Sequence, residues 1–277
     1  MTLLEHIDSA RSQLTQSDRA LLDEILSYPA DAPLWRGKEI ADRVGIHPST
    51  ATRTAQRLGY RGYRELAEAL RNELNTRLTG AGDRFRTELQ EHNTGTVLDN
   101  LVQTEMDSLT VLSRHISQAQ LDSVADAIVA ARKVFLFARG NSSILAEMSE
   151  RRLRRFGFDT INLRGAGREI AERILLMNSE DLVVTFAFRK PPRHVDHVLG
   201  HAKRTQAQSV LITDTLHTLN PAPDTVLSAL RGHQEGFASL TVPMLIINAI
   251  VLTIAKRYPT STLPNLDRLD ELLADFE

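Results

Sequence analysis

The sequence contains no cysteine, which excludes disulfides and thiolate metal sites. It also lacks any unbroken apolar stretch of about 18 residues, the length a membrane-crossing helix requires. The longest run of this kind, Val242 to Ala255, is interrupted by Pro243 and Asn248. No apolar N-terminal run precedes a cleavage-like site, so the expected compartment is the cytoplasm. A strong overall charge is missing as well. The formal net charge is −2, so any affinity for an acidic partner must come from a local excess of cations.

What is present is ordinary in bulk. The hydrophobic fraction is 42% and the charged fraction 25%, as in typical globular proteins. At 277 residues the chain exceeds the usual domain size of ~100–200 residues, which implies two domains.

The most informative stretch is Gly37 to Tyr63, GKEIADRVGIHPSTATRTAQRLGYRGY. Ile40, Ala41 and Val44 give one apolar helical face. Gly45 follows, suited to the left-handed conformation that ends a helix. Pro48, a residue that loses no hydrogen bond at a first helical position, opens a second helix. In that helix Ala51, Thr54, Ala55 and Leu58 repeat at the spacing of an inward face. Ser49, Thr52, Arg53 and Gln56 repeat on the other side, flanked by Thr50 and Arg57. Hydroxyls, an amide and guanidinium groups are the groups that read base edges and grip phosphates. The pattern is a helix-turn-helix with its second helix presented to DNA. Arg36, Lys38, Arg43, Arg53, Arg57, Arg61 and Arg64 face only Glu39 and Asp42 in this segment, a local surplus of five positive charges. That is an electrostatic footprint for nucleic acid. The expected DNA contacts are Lys38, Ser49, Thr50, Thr52, Arg53, Gln56, Arg57 and Arg61.

Before this segment, Thr15 and Asp18 mark a helix start, with Leu21, Leu22, Ile25 and Leu26 as its buried stripe and Pro29 as its end. Trp35 reads as a plug of the small domain's core. Tyr63 to Leu78 continues as a helix. Thr79-Gly80-Ala81-Gly82-Asp83 is small and flexible, so residues 79–95 read as a linker between a DNA-binding domain at 1–78 and a second domain at 96–277.

Helical stretches from Thr96 to His115 and Gln118 to Ala131 open the second domain. From Lys133 short apolar runs alternate with helical patterns. Strands are expected at Val134–Ala138, Asp159–Leu163, Leu182–Phe186, Ser209–Thr213 and Thr225–Leu227. Helices are expected at Ser143–Phe156, Gly167–Met177, Pro192–Arg204, Ser239–Arg257 and Leu263–Phe276. This alternation implies a parallel sheet with helices on both faces. Ligands of such sheets bind at the carboxyl ends of strands. Two loops qualify: Arg139-Gly140-Asn141-Ser142-Ser143, which enters a helix N-terminus suited to anions, and Ala187 to Arg193, with Arg189, Lys190 and Arg193. His194, His197 and His201 share one helix without any carboxylate motif to frame a metal, and read as a polar face. No cofactor or metal is expected.

With these residues in view, the chain resembles the RpiR/MurR family of bacterial transcription regulators. The resemblance rests on Leu14-Thr15, Glu39-Ile40-Ala41, Val44-Gly45-Ile46, Ser49-Thr50, Arg53 and Leu58-Gly59-Tyr60-Arg61-Gly62-Tyr63. In the second half it rests on the strand and serine loop from Val134, the helix Ile144 to Gly157, the strand Asp181 to Thr185, Ala202-Lys203, the strand Val210 to Thr213 and Glu235. It implies an all-α helix-turn-helix domain joined to a sugar isomerase (SIS) domain, a parallel-sheet α/β sandwich. It further implies a homodimer or tetramer, an operator in double-stranded DNA, and a small effector bound by the SIS domain. The family's first loop usually has glycine where Ala138 stands. Its second loop, Ser-x-Ser-Gly-x-Thr, aligns with Ala187 to Pro192, where every hydroxyl is gone and Arg189 and Lys190 appear. Arginine grips phosphate or carboxylate by a two-point fork. The expected effector is therefore an anion held by Gly140, Asn141, Ser142, Ser143, Arg189, Lys190 and Glu235. Two alternatives stand beside this: a constitutive regulator whose SIS domain only oligomerises, and a sugar-phosphate isomerase with Glu235 as general base.

Overall fold

The computed structural model describes residues 3–10, 13–27, 32, 35–76, 96–189, 191–214, 219–228, 231, 237 and 239–276. The expected linker, 79–95, lies outside them, as do Lys190 and Glu235. The chain divides into two compact units, one built on Met1–Arg114 and one on His115–Thr215, Leu219–Ala229 and Leu240–Glu277.

The first unit contains α1 (Leu3–Ala10), α2 (Gln16–Ser27), α3 (Gly37–Arg43), α4 (Pro48–Arg57), α5 (Tyr63–Thr76) and α6 (Val97–His115). The start of α2 is closed reciprocally. The Thr15 N–H donates to Asp18 Oδ2 at 2.7 Å, and the Asp18 N–H donates to Thr15 Oγ1 at 3.3 Å. Leu21, Leu22, Ile25, Ile40, Ala51, Ala55, Leu58, Leu66 and Leu70 form one core, against which Trp35 packs half-buried. Trp35 is thus the core plug its sequence context suggests, and the Arg43 guanidinium lies 4.2 Å above its ring. In α6 the buried side chains are Thr104 and Ser108, which satisfy their hydroxyls on the carbonyls of Asn100 and Thr104. Leu98, Val102 and Met106 of that helix are exposed.

The second unit is a three-layer α/β/α sandwich. Its elements are α7 (Gln118–Ala130), β1 (Val134–Phe137), α8 (Ser143–Arg155), β2 (Thr160–Asn162), α9 (Gly167–Ile174), β3 (Leu182–Ala187), α10 (Val195–Thr205), β4 (Gln208–Thr213), β5 (Thr225–Ser228), α11 (Thr241–Arg257) and α12 (Pro259–Ala274). The five strands are parallel in the order β2-β1-β3-β4-β5, with Val134 opposite both Thr160 and Leu182, and Leu182 opposite Gln208. β1 is buried throughout, and so is β3, including both faces of each strand. That burial explains why both read as unbroken apolar runs and not as alternations. Phe135, Phe137, Val183 and Leu211 pack with Ile170, Val195, Val198 and Leu199 of α9 and α10. α8 packs against β1 and β2, and α11 packs against α7 and α8. No single helix among the described residues is long and apolar enough to cross a membrane.

Two expected boundaries are corrected. The helix read from Pro192 begins at Val195, because His194 sits at φ 72° in the left-handed region, which no α-helix tolerates. The last helix begins at Pro259 and not at Leu263, using proline in its first turn.

Candidate functional site

The helix-turn-helix forms as its residues dictate. The Arg36 N–H donates to Glu39 Oε2 at 2.7 Å and closes the start of α3. Gly45 turns the chain at φ 68°. His47 caps α4 by accepting the Ser49 N–H on Nδ1 at 3.3 Å, and Ser49 Oγ lies 2.8 Å from the same nitrogen. Pro48 is the first helical residue. Ala51, Thr54, Ala55 and Leu58 are buried, while Thr52, Arg53 and Gln56 are exposed and Ser49 and Thr50 half-buried. The Gln56 amide reaches back to the Arg61 carbonyl at 3.4 Å.

The cations are not equivalent. Arg57 donates through Nη1 to Asp18, whose side chain is fully buried. Asp18 also accepts from Thr15 Oγ1 and from Thr54 Oγ1, each at 2.6 Å. Burial pushes this carboxyl up, but the hydrogen bonds from Thr15 and Thr54 and the Arg57 charge outweigh it and hold its pKa below the ordinary value. Arg57 therefore staples α4 to α2, a use that its place on the helix wheel concealed. Arg43 pairs with Glu24 at 2.7 Å. Arg61 and Arg64 make exposed one-turn pairs with Glu65 and Glu68, contacts too weak to withhold them from a phosphate. Arg36, Lys38 and Arg53 are exposed and pair with no carboxylate among the described residues. Arg36 is a cation of this surface that the sequence reading left out of its contact set.

In the second unit the strand order reverses between β1 and β3. The chain leaves one toward α8 and the other toward α10, so their carboxyl ends flank a crevice at the topological switch point. Both loops singled out in the sequence open from these ends. Gly140 takes φ 61°, Ser143 Oγ donates to the Gly140 carbonyl at 2.6 Å, and Ser142 stands half-buried at the start of α8 with no capping hydrogen bond from its side chain. Asn141 is exposed. In the other loop Arg189 adopts φ 59°, and its N–H donates to Asp214 Oδ1 at 3.0 Å.

Of two further residues here, Asp214 escaped the sequence reading, and Arg139 was named in its loop without a role. Asp214, buried at the end of β4, takes the Arg189 amide. Arg139 lies against the Phe137 ring at 5.0 Å, and its Nη2 is buried with no hydrogen-bond partner. Burial pulls the Arg139 pKa down, opposed by the charge of Glu169. A groove of about 950 Å³ opens elsewhere, at the amino ends of β4 and β5. Most of its charges are paired: Arg257 grips Asp126 at 2.8 Å and lies 3.4 Å from Asp122, and Asp224 accepts from Ser209, while Lys203 pairs with no carboxylate among the described residues.

A parallel 2-1-3-4-5 sandwich preceded by a helix-turn-helix is the architecture of a DNA-binding regulator with a second, α/β domain. The comparisons with known proteins agree. Residues 1–77 match the model of the helix-turn-helix domain of the rpiR family, and residues 127–253 match that of the SIS domain. A helix-turn-helix transcriptional regulator from Haemophilus influenzae is 25% identical over 236 residues, 84% of this chain and 81% of its own. Another from Clostridium perfringens is 22% identical over 265 residues, 91% of each chain. Among solved structures, the Vibrio vulnificus NanR protein complexed with ManNAc-6P superposes with a TM-score of 0.58 at 21% identity, over 100% of this chain and 99% of that one. The sugar isomerase domain of an RpiR transcription factor from Sphaerobacter thermophilus gives 0.59 at 20% identity, over 64% of this chain and 99% of that one. The chain belongs to the RpiR family of transcriptional regulators, with an N-terminal helix-turn-helix domain and a C-terminal SIS domain.

Proposed function

We propose that this regulator binds operator DNA as a cytoplasmic homodimer or tetramer and that a small anionic metabolite, a sugar phosphate or another phosphate or carboxylate compound, controls it through the SIS domain. Residues 1–78 form the DNA-binding head and 96–277 the effector-binding and oligomerising domain. Thr52, Arg53 and Gln56 read bases, while Lys38, Ser49, Thr50 and Arg61 meet the backbone. The effector occupies the crevice between β1 and β3. Its anion is held by Arg189 with Lys190 and by the loop from Gly140 to Ser143, and Glu235 accepts a hydroxyl.

The observation that carries the effector reading is the buried, unpartnered Nη2 of Arg139 at the carboxyl end of β1. A guanidinium nitrogen without a partner costs free energy unless something supplies an acceptor, and an anion in this crevice supplies one. Two non-glycine residues with positive φ, Arg189 and His194, lie in the facing loop. Backbone strain of this kind collects where a ligand or a switch requires it. To regulate, the effector must favour one arrangement of the two DNA heads over another. The second reading, an SIS domain that only assembles the heads, draws on Asp214, a buried carboxylate that occupies the Arg189 amide and adds negative charge to the crevice.

A thermal-shift screen of inorganic phosphate, phosphorylated sugars and sugar acids tests the choice. An effector raises the melting temperature of the wild type and of Arg53→Ala equally, and Arg189→Ala loses most of that rise. An Arg189→Ala protein that responds like wild type refutes the assignment of this loop. A protein that no anion stabilises favours the assembly-only reading.

A further inference from the structure

The outer faces of α8 and α12 carry opposite charges and are exposed among the described residues. On α8, Leu145, Ala146, Ser149 and Leu153 are buried, which leaves Ile144, Arg151, Arg152 and Arg155 exposed. A groove of about 330 Å³ runs along this face, lined by Ile144, Glu147, Met148, Arg151, Arg152 and Arg155. The acids of the helix are taken by other arginines. Glu150 accepts from Arg154 at 2.7 Å and Arg164 at 3.1 Å, and Glu147 lies 3.5 Å from Arg164. Arg151, Arg152 and Arg155 pair with no carboxylate among the described residues.

α12 is the counterpart. Of its sixteen residues only Thr262 is buried. Leu263, Leu272, Leu273 and Phe276 are 43%, 50%, 50% and 88% exposed, and with half-buried Leu266 and Leu269 they make an apolar stripe along the helix. Beside the stripe run Asp267, Asp270, Glu271 and Asp275, opposed on this helix by Arg268 alone. Asn265 Nδ2 donates to the Phe156 carbonyl at 2.8 Å and fixes the helix where α8 ends. The two helices are therefore neighbours in one copy. Even so, among the described residues no ion pair joins the α8 arginines to the α12 acids. The geometry holds both charge sets apart and outward.

We propose that this surface is where a second copy of the chain docks, with α12 of each copy lying on α8 of the other. A two-fold contact is self-complementary: if one α8 meets the partner's α12, the reverse contact forms by symmetry. Leucines on the apolar part of the groove then lose their exposure to water, and four acids meet three arginines that lack partners. An apolar stripe of this length left open to solvent is a surface that proteins ordinarily cover. The inference deepens the proposed self-association and rests on it, but names a surface that can fail alone.

The experiment is a charge reversal in the full chain, read by size-exclusion chromatography with light scattering at low salt. One variant carries Arg151→Glu and Arg155→Glu, the other Asp267→Arg and Glu271→Arg. Each variant alone sets like charges against each other in both halves of the contact. Each should drop to half the wild-type mass, reaching 30.9 kDa if the wild type is a dimer. In an equimolar mixture both halves become complementary, so the wild-type mass should return. All four positions are exposed, and unchanged thermal melts will show that the variants fold. A variant that keeps the wild-type mass alone, or a mixture that stays dissociated, overturns the docking surface while self-association stands. A wild type that is itself monomeric overturns both.

Discussion

Asp18 is the residue on which the DNA-binding head turns. Its carboxylate is buried, yet it is charged because Thr15, Thr54 and Arg57 surround it with donors. Asp18→Ala leaves those donors unpaired and should cost about 2–3 kcal/mol of domain stability, measured by urea unfolding. The pH dependence has a fixed sign. The folded-state pKa is lowered below 3.8, so the carboxylate's contribution is whole at neutral pH and fades as pH falls through 3.8 toward the lower native value. In Asp18→Asn that acid-range loss should be much smaller. An equal loss of stability in both proteins between pH 5 and 3 would refute the buried-charge account. Arg57 belongs to this cluster, which is why its helix-wheel position misleads: its partner lies 39 residues away in sequence.

Among elements, α4 was legible because everything that makes it is local. Pro48 at its start, Gly45 before it and the repeat of Ala51, Ala55 and Leu58 are all contained in about fourteen residues. The strands β1 and β3 were legible for a different reason, since burial on both faces leaves no polar interruptions. The start of α10 was not, because Pro192 resembles a helix opener and the left-handed turn at His194 leaves no mark in composition. Asp214 and the role of Arg139 were hidden too. Asp214 matters through the Arg189 amide it meets in space and Arg139 through the charge of Glu169 in α9, and both depend on strand order. The same distinction between local and distant partners ranks the cations of α3 and α4. Lys38 is exposed at the start of α3 and pairs with no carboxylate among the described residues. Lys38→Ala should therefore weaken binding to all DNA sequences alike and lower the slope of log affinity against log salt by about 1. A slope equal to that of the wild type would remove Lys38 from the phosphate contacts.

At the scale of the molecule, the helix-turn-helix head and the SIS domain are units of different physics. The head is small and helical, and Arg36, Lys38 and Arg53 are exposed on it, so its affinity for DNA is set largely by salt and by the few side chains that α4 presents. The SIS unit is an α/β sandwich in which Gly140, Arg189 and His194 take positive φ in the loops that follow β1 and β3. In the proposed assembly two linked heads would gain far more operator affinity than either has alone, which would make assembly part of recognition. The central claim is that the exposed side of α4 reads the operator. Its most direct test is fluorescence anisotropy with the full chain and a DNA duplex enriched by this protein from a random-sequence pool, comparing wild type with Arg53→Ala. The account predicts a loss of about 1–3 kcal/mol on the enriched duplex, the scale of one good base contact, with a much smaller change on unrelated DNA. An Arg53→Ala protein that binds the enriched duplex as tightly as the wild type would contradict it.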